Sequence, residues 1–265
     1  MESENNILVT DIIWDLYQYY YGDQFVTSEY QPGHEFLYGG IPQSSDPSTT
    51  IKILQNKAYT CGYAEAIKSP LWVAYRVFDN ERAKAPEKRP DGFDVDTRTL
   101  SRVRSSDYTG SGFDRGHLAP NYAIARCYGR DAQLETFLMS NIVPQTHAMN
   151  AGPWKDIEMR AAVNYPSRFQ EVWVITGPIY SEESQLTDTG IRIPNACYKI
   201  FADETEGKLR LQAVIIPQQV SPSAPLESYL VTVDDIERLT GLDFFPELDD
   251  FAEQKLEASF AKRLW

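Results

Sequence analysis

The tetrapeptide Asp-Arg-Gly-His at positions 114–117 groups residues that could carry out acid–base chemistry on a phosphate. A neutral imidazole such as that of His117 can accept a proton from water near neutral pH. The adjacent Asp114 could orient the ring, and the planar guanidinium of Arg115 could hold two phosphate oxygens. Taken alone, the motif fits a surface histidine in a glycine-rich turn equally well.

A second group of polar residues lies downstream, at Asn150, Trp154 and Glu158. Asn150 and Glu158 are eight residues apart, about 80° beyond two full helical turns, so a single helix would present both on the same side. Amide and carboxylate oxygens are hard ligands of the kind that Mg²⁺ takes, and an Asn150 near the helix start would also lie where phosphate is favoured. Taken singly, Asn150 fits a helix N-cap and Glu158 an exposed acid.

The elements that must position these groups are predicted from hydrophobic patterning. Apolar runs typical of strands lie at 59–63, 71–77, 172–176, 196–201 and 209–216. Helical spacing is found at 154–169, 233–239 and 248–260. We expect the first helix to stop near Pro166, Gly177-Pro178 to form a turn, and Thr232 and Gly241 to cap the second helix. Without a regular βαβ rhythm, the chain is predicted to form a mixed α+β domain.

Composition and charge narrow the function classes. The 265 residues are 42% hydrophobic and 24% charged, as in a folded protein with a sizeable core. The net charge of −13, from 25 basic and 38 acidic residues, disfavours a purely electrostatic nucleic-acid binder. From Arg82 to Arg130 the balance reverses, with ten bases against six acids. This segment is either a local anion-attracting surface or a solvated loop.

Cysteine usage and the chain start bear on compartment and metal binding. Cys61, Cys127 and Cys197 form no CxxC pair, which disfavours structural zinc. We expect three buried thiols, with one disulfide plus one free thiol as the alternative. No apolar run is long enough to span a membrane. The first residues are acidic and polar, unlike a secretory signal, so the protein either stays in the cell or has lost its signal.

Several ordered blocks resemble the DNA/RNA non-specific endonuclease family, the endonuclease G-like ββα-metal nucleases that carry a DRGH motif. The resemblance runs from about Gly62 to Pro246. It rests on Asp114-Arg115-Gly116-His117, Ser140-Asn141-Ile142-Val143-Pro144-Gln145 and the spacing of Asn150, Trp154 and Glu158, with support from 108–113, 176–178, 225–227 and 240–241. It implies an α+β fold with a mixed, mainly antiparallel central sheet flanked by helices and a ββα-metal motif at the active site.

We therefore expect a single nuclease domain at 41–265, preceded by an acidic, aromatic extension at 1–40 that packs on the body. The extension is unlike the family core. A cap, an oligomer contact and an inhibitor-binding surface all stay open for it.

The resemblance implies a Mg²⁺-dependent endonuclease that hydrolyses phosphodiester bonds of DNA and RNA and leaves 5′-phosphate products, with Mn²⁺ or another divalent cation as alternatives. It implies that His117 is the general base that activates water. Asn150 would be a direct metal ligand and Glu158 would hold metal-bound water. Arg115 would stabilise phosphate charge, and Asn141 would support the site.

The chain departs from the family at one position. Members often carry an arginine after the phenylalanine that stands about twenty residues before the motif, whereas here Asp94 follows Phe93. Further substrate-binding candidates are therefore Arg98, Arg102, Arg104, Asp114, Gln145 and Trp154. His147 has no role in the family, and we favour a loop or supporting residue over a metal ligand.

Two rival functions remain. A metal phosphodiesterase would act on a smaller substrate in a closed pocket, and the open basic stretch argues against it. A catalytically silent nucleic-acid or protein-binding domain is disfavoured because every implied catalytic position is filled. DNA and RNA are the expected partners, with the 82–130 segment lining the cleft; no membrane partner is expected, and a homodimer and an inhibitor protein stay open. Toxicity of an unrestrained nuclease favours a secreted or periplasmic location over the cytoplasm.

Overall fold

Strands and helices alternate irregularly through the computed structural model, which describes residues 26–27, 35–80, 88–205, 207–221 and 224–265. The strands are β1 Val26–Thr27, β2 Gln43–Ser44, β3 Lys52–Gln55, β4 Tyr59–Ala64, β5 Ser69–Phe78, β6 Asp114–His117, β7 Ile142–Gln145, β8 Glu171–Ile179, β9 Ala196–Thr205, β10 Lys208–Pro217, β11 Leu230–Val231 and β12 Leu242–Asp243. The α-helices are α1 Asn121–Tyr128, α2 Arg130–Glu135, α3 His147–Met149, α4 Lys155–Met159, α5 Pro166–Phe169, α6 Val233–Thr240 and α7 Asp250–Glu257. Asn150–Trp154 and Arg160–Asn164 are π-helical.

A central antiparallel sheet organises these elements in the order β1-β10-β9-β8-β5-β4-β3, with β11 beside the far end of β10. Two antiparallel pairs stand apart from it, β2 with β12 and β6 with β7. The expected α+β class with a mainly antiparallel sheet is therefore confirmed. Among the described residues, no helix combines the length and apolarity needed to cross a bilayer.

Helices cover both faces of the sheet, which explains why its central strands β5, β8, β9 and β10 are almost continuously buried. Along β5, Val73 and Tyr75 face a core shared with α1 and α4, whereas Trp72 and Ala74 face a second core shared with α6 and α7. This alternation follows from the two-residue repeat of a strand. The sheet thus separates two layers: the β6–β7 pair and the helices after it on one side, α6 and α7 on the other.

Most predicted elements are confirmed within a few residues, including the Thr232 and Gly241 caps of α6. Two boundaries are wrong. Gly177-Pro178 lies inside β8, where a Cβ on Gly177 would come within 2.2 Å of the Leu71 carbonyl oxygen, so this glycine serves close approach and not a turn. Pro166 begins α5, as suits the first turn of a helix.

The cysteine prediction is confirmed, because all three thiols are free and buried. The extension at 1–40 lies mostly outside the described residues. Within its described end, residues 36–40 are buried, and Tyr38 packs into the core beneath α6 and α7. Tyr38 also donates a hydrogen bond from its hydroxyl to Glu204 (2.7 Å).

Candidate active site

The Asp-Arg-Gly-His motif forms strand β6, which pairs with β7 and is followed by the helical segment that starts at His147. Gly116 lies against Gln145 of β7, and a Cβ at this position would be 2.1 Å from the Gln145 side-chain oxygen. Only glycine therefore lets the two strands pack at this point. The resulting ββ-helix unit carries the motif at the edge of a cavity.

His117 is held by aromatic rings and by its own main chain. Its ring lies 5.4 Å from that of Phe93 and 4.9 Å from that of Phe137, centroid to centroid. Trp154 donates its indole N–H to the His117 carbonyl oxygen (3.1 Å). The ring atom Nε2 is buried and has no hydrogen-bond partner among the described residues. Burial, assisted by the positive charge of Arg89, lowers the pKa of His117 to about 3, so the ring is neutral at physiological pH.

Asp114 binds the side-chain amide of Asn150. Its Oδ2 accepts a hydrogen bond from Nδ2 of Asn150 (3.0 Å) and lies 2.9 Å from Nδ1 of the largely exposed His147. Asp114 therefore orients Asn150, and the expectation that it orients the His117 ring is wrong. Because Nδ2 of Asn150 donates to Asp114, its Oδ1 is the atom left to accept or to bind a cation. His147 has the supporting position favoured from the sequence.

Glu158 has a buried cationic neighbour that sequence reasoning missed. Nζ of Lys199, whose side chain is fully buried, lies 3.6 Å from Glu158 Oε1 and 4.0 Å from the centre of the Trp154 ring. Burial raises the pKa of Glu158 to about 7, an effect that Lys199 partly offsets, and burial lowers the pKa of Lys199 to about 8. A lysine in the apolar run of β9, on the face that carries Cys197 and Phe201, was the available signal.

The helix that carries Asn150 and Glu158 is interrupted between them. Thr146 caps its start, Gly152 leaves the helical region (φ −103°, ψ −120°), and Pro153 follows. The prediction of one continuous helix is therefore wrong, because neither glycine at these angles nor proline continues the backbone hydrogen bonding. Both side chains nevertheless reach the same place.

That place is a cavity of about 450 Å³ lined by His117, Arg115, Asn150 and Glu158 together with Arg89 and Lys155. Three cationic side chains thus surround the imidazole and the two metal-ligand candidates. Nη2 and Nε of Arg115 donate to the Ser105 carbonyl oxygen (2.6 and 3.2 Å), which fixes the guanidinium at the rim. Arg89, which lies over the Phe137 ring, was not among the predicted substrate-binding residues.

A sequence model of DNA/RNA non-specific endonucleases matches residues 38–251. The chain belongs to the DNA/RNA non-specific endonuclease family. It is 31% identical over 231 residues to mitochondrial nuclease EXOG of Danio rerio, covering 79% of this chain and 64% of that one. It is 27% identical over 212 residues to mitochondrial endonuclease G of Homo sapiens, covering 74% and 70%. The match to the Xenopus laevis EXOG nuclease covers 61% of that protein's length. The chain therefore spans less than two thirds of the length of both EXOG nucleases.

The family fold is also found in a solved structure. A chain from the crystal structure of the EndoG/EndoGI complex, described as showing the mechanism of EndoG inhibition, superposes with a TM-score of 0.66 at 23% identity. The match covers 74% of this chain and 86% of that one. At this identity, the likeness concerns the fold.

The remaining family candidates form the walls behind the cavity. Asn141 is fully buried, and its side chain bonds only to main-chain atoms of Ala119 and Thr136 in the described structure. Gln145 and Trp154 are also buried. They support β6 and His117 from within.

The three arginines considered as replacements are not among the described residues that line the cavity. Arg98 is engaged elsewhere, with Nη2 2.7 Å from Asp96 and Nη1 donating to the Gln55 carbonyl oxygen. The main-chain N–H of Arg104 donates to Asp107, and Arg102 has a positive φ of 47°. Substrate contacts by these arginines stay a prediction, whereas Arg89 does line the cavity.

The residues present fit a divalent cation. Oδ1 of Asn150 is left unused by Asp114, and the Glu158 carboxylate, whose Oε1 lies 3.6 Å from Nζ of Lys199, lines the same cavity. One amide and one carboxylate suit Mg²⁺, which keeps several waters and takes few protein ligands.

Proposed function

We propose that this chain is a divalent-cation-dependent endonuclease that hydrolyses phosphodiester bonds of both DNA and RNA. The observation that carries the proposal is that His117, Arg115, Asn150 and Glu158 line one cavity. Family membership supports the same reaction. Each side chain has a distinct task in it.

His117 is the general base. Its neutral ring can accept a proton, and the buried Nε2 without a hydrogen-bond partner is the atom that we assign to the attacking water. The low pKa comes mainly from burial and to a smaller extent from Arg89. A bound phosphate that neutralises Arg89 would remove only this smaller effect and raise the proton affinity of the ring accordingly. The rings of Phe93 and Phe137 keep the imidazole in place.

Asn150 and Glu158 are the residues that would hold Mg²⁺, the first directly through Oδ1 and the second through a water. When bound, the ion polarises the phosphoryl oxygen and stabilises the leaving 3′ oxygen. Asp114 fixes the Asn150 amide, and Lys199 holds the buried carboxylate of Glu158 in position.

Arg115, Arg89 and Lys155 would bind the phosphates on either side of the scissile bond. Contacts to phosphate and sugar carry no base sequence, which accounts for cleavage of DNA and RNA with weak sequence preference. Water attack with departure of the 3′ oxygen leaves the phosphate on the 5′ side.

We also propose a homodimer and an inhibitor protein as candidate partners, the latter because the fold neighbour was solved as an EndoG/EndoGI complex.

Cleavage of plasmid DNA and of RNA, with Mg²⁺ and then with excess chelator, tests the proposal. His117→Ala should lower the rate about 10²–10⁴-fold, as expected for loss of a positioned base. Glu158→Gln should impair cleavage, whereas Glu182→Gln, the same change at an exposed loop position, should not. Activity of His117→Ala within a few-fold of the unmodified protein would remove it from the base role.

Two other outcomes identify the rivals. Hydrolysis of bis-p-nitrophenyl phosphate without cleavage of plasmid or RNA would indicate a phosphodiesterase for small substrates. Binding of DNA without cleavage under all metal conditions would indicate a catalytically silent domain.

A further inference from the structure

On the face of the sheet opposite His117, helices α6 and α7 bring acidic side chains together. Carboxylate oxygens of Asp234, Glu237 and Glu257 all lie within 4.8 Å of one another. We call these three residues the α6–α7 acidic cluster. It is the one group of three such ligands that the described residues contain, and it is separated from the catalytic cavity by the sheet.

The helices place these carboxylates by ordinary spacing. Asp234 and Glu237 are three residues apart on α6 and therefore neighbours on its surface. Glu257 follows the buried Leu256 at the end of α7. Burial of Ile236 and Leu256 in the same core draws the two helices together. The packing thus forces the acidic positions into proximity.

Glu257 is the unusual member, because only 7% of its surface is exposed. Its Oε1 is inaccessible and has no hydrogen-bond partner among the described residues. A carboxylate buried without a partner is strongly destabilising, and proteins avoid it by pairing the charge or coordinating a metal. Glu257 must therefore either keep a proton or pair with a cation.

The surrounding carboxylates disfavour ionisation of Glu257 unless a cation is bound. Burial, together with the negative charges of Glu237, Glu253, Asp234 and Asp243, raises the pKa of Glu257 to about 9. Burial likewise raises the pKa of Glu237 to about 7, although one of its oxygens accepts the Phe244 N–H (2.8 Å). The nearby cation on α6, Arg238, is turned to Asp235 (2.7 Å).

We propose that the α6–α7 acidic cluster is a divalent-cation site and that its cation is Ca²⁺. Ca²⁺ takes six to eight oxygen ligands in flexible arrangements that include one- and two-oxygen carboxylate contacts, whereas Mg²⁺ demands a tighter octahedron and retains water. Asp234, Glu237 and Glu257 supply three carboxylates, and Asp243 and Glu253 add negative charge close by. Asp234 is exposed, which gives the ion a path from solvent. The site is structural and joins α6 to α7.

The test starts from chelator-treated protein in which Asn150→Ala removes the direct ligand proposed for the catalytic ion. Calorimetric titration with CaCl₂ should show one remaining site, and a hundredfold excess of Ca²⁺ over Kd should raise Tm by about 5–10 °C. MgCl₂ and MnCl₂ at the same concentration should give smaller shifts. This result does not depend on nuclease activity.

Glu257→Gln should change Tm in opposite directions, relative to the unmodified protein, without and with Ca²⁺. Without a cation it should raise Tm at neutral pH, because Glu257 must take up a proton on folding and glutamine need not. With CaCl₂ it should lose the increment that the unmodified protein gains. Asp234→Asn, at the exposed ligand, should weaken Ca²⁺ binding at least tenfold without the gain in Tm, and it serves if Glu257→Gln does not fold. Glu182→Gln, the matched control, should keep the full increment.

The nuclease activity of Glu257→Gln in MgCl₂ should stay within twofold of the unmodified protein. Absence of a Ca²⁺-dependent shift and of any calorimetric signal in the Asn150→Ala protein would overturn the proposal. So would a Ca²⁺ signal that persists unchanged in both cluster variants. A larger shift with Mg²⁺ or Mn²⁺ than with Ca²⁺ would overturn the choice of ion.

Discussion

Replacement of Asn141 by alanine should be strongly destabilising, because its side chain satisfies three buried main-chain groups at once. Oδ1 accepts the Ala119 N–H (2.8 Å), and Nδ2 donates to the carbonyl oxygens of Ala119 (3.0 Å) and Thr136 (2.9 Å). A buried polar group left without a partner costs roughly 1–3 kcal/mol. Since part of that cost is relieved by relaxation, we expect Asn141→Ala to lower the free energy of unfolding by about 3–6 kcal/mol.

Urea unfolding followed by tryptophan fluorescence measures the free energy of unfolding. As a control at an exposed position, Asn164→Ala should change this free energy by less than about 0.5 kcal/mol. Asn141→Asp should be no better than alanine, because it sets a carboxylate oxygen against two carbonyl oxygens. A loss below about 1 kcal/mol for Asn141→Ala would refute the three-bond account. Loss of these bonds would also leave the main chain at Ala119, two residues after His117, less firmly held. Cleavage should therefore fall as well, although Asn141 does not contact substrate.

Three further predictions concern buried positions. Lys199→Met removes the cation that lowers the pKa of Glu158, so cleavage at pH 7 should fall and its pH–rate profile should shift to higher pH; an unchanged profile contradicts the role of Lys199. Gly116→Ala should cost about 1–3 kcal/mol in urea unfolding, because the new Cβ meets Gln145, and a neutral effect would contradict that packing. In chelator, the folded protein keeps the Glu257 proton up to a pKa of about 9, whereas the unfolded chain releases it near 4.5. The contribution of Glu257 to stability should therefore be fully present below the lower pH and fall as pH rises towards 9. Glu257→Gln should flatten this fall in Tm, and an equally steep fall would contradict it.

Local motifs made much of the site predictable from the sequence. Asp114 to His117 are adjacent in the chain, so their shared strand and the glycine between them follow from a few residues. The joint position of Asn150 and Glu158 was also expected, but on a continuous helix that Gly152 and Pro153 interrupt. The spacing correctly predicted that the Asn150 and Glu158 side chains lie together, although the backbone between them is not a continuous helix.

Other features could not be predicted because they depend on contacts between distant segments. Lys199 meets Glu158 only because β9 places its polar side chain beneath the helix that follows the ββ unit. Arg89 reaches the cavity from residues 88–90, which form neither helix nor strand, and nothing in the neighbouring sequence marks it. Gly177 resembles a turn residue next to proline, yet it lies in a central strand where Leu71 and Tyr198 approach too closely for a side chain.

The net charge of −13 is reconciled with an anionic substrate by where the charges lie. Arg89, Arg115 and Lys155 line the catalytic cavity, whereas Glu237 and Glu257 belong to the cluster on the opposite layer, with the sheet between them. At physiological ionic strength, charges more than about 8 Å apart are largely screened in solvent, so the acidic layer does little to repel a phosphate at the cavity. A cation bound to that layer would reduce the repulsion further and would stabilise the helices that carry it. The same segregation thus favours substrate binding on one face and creates the need for a counterion on the other.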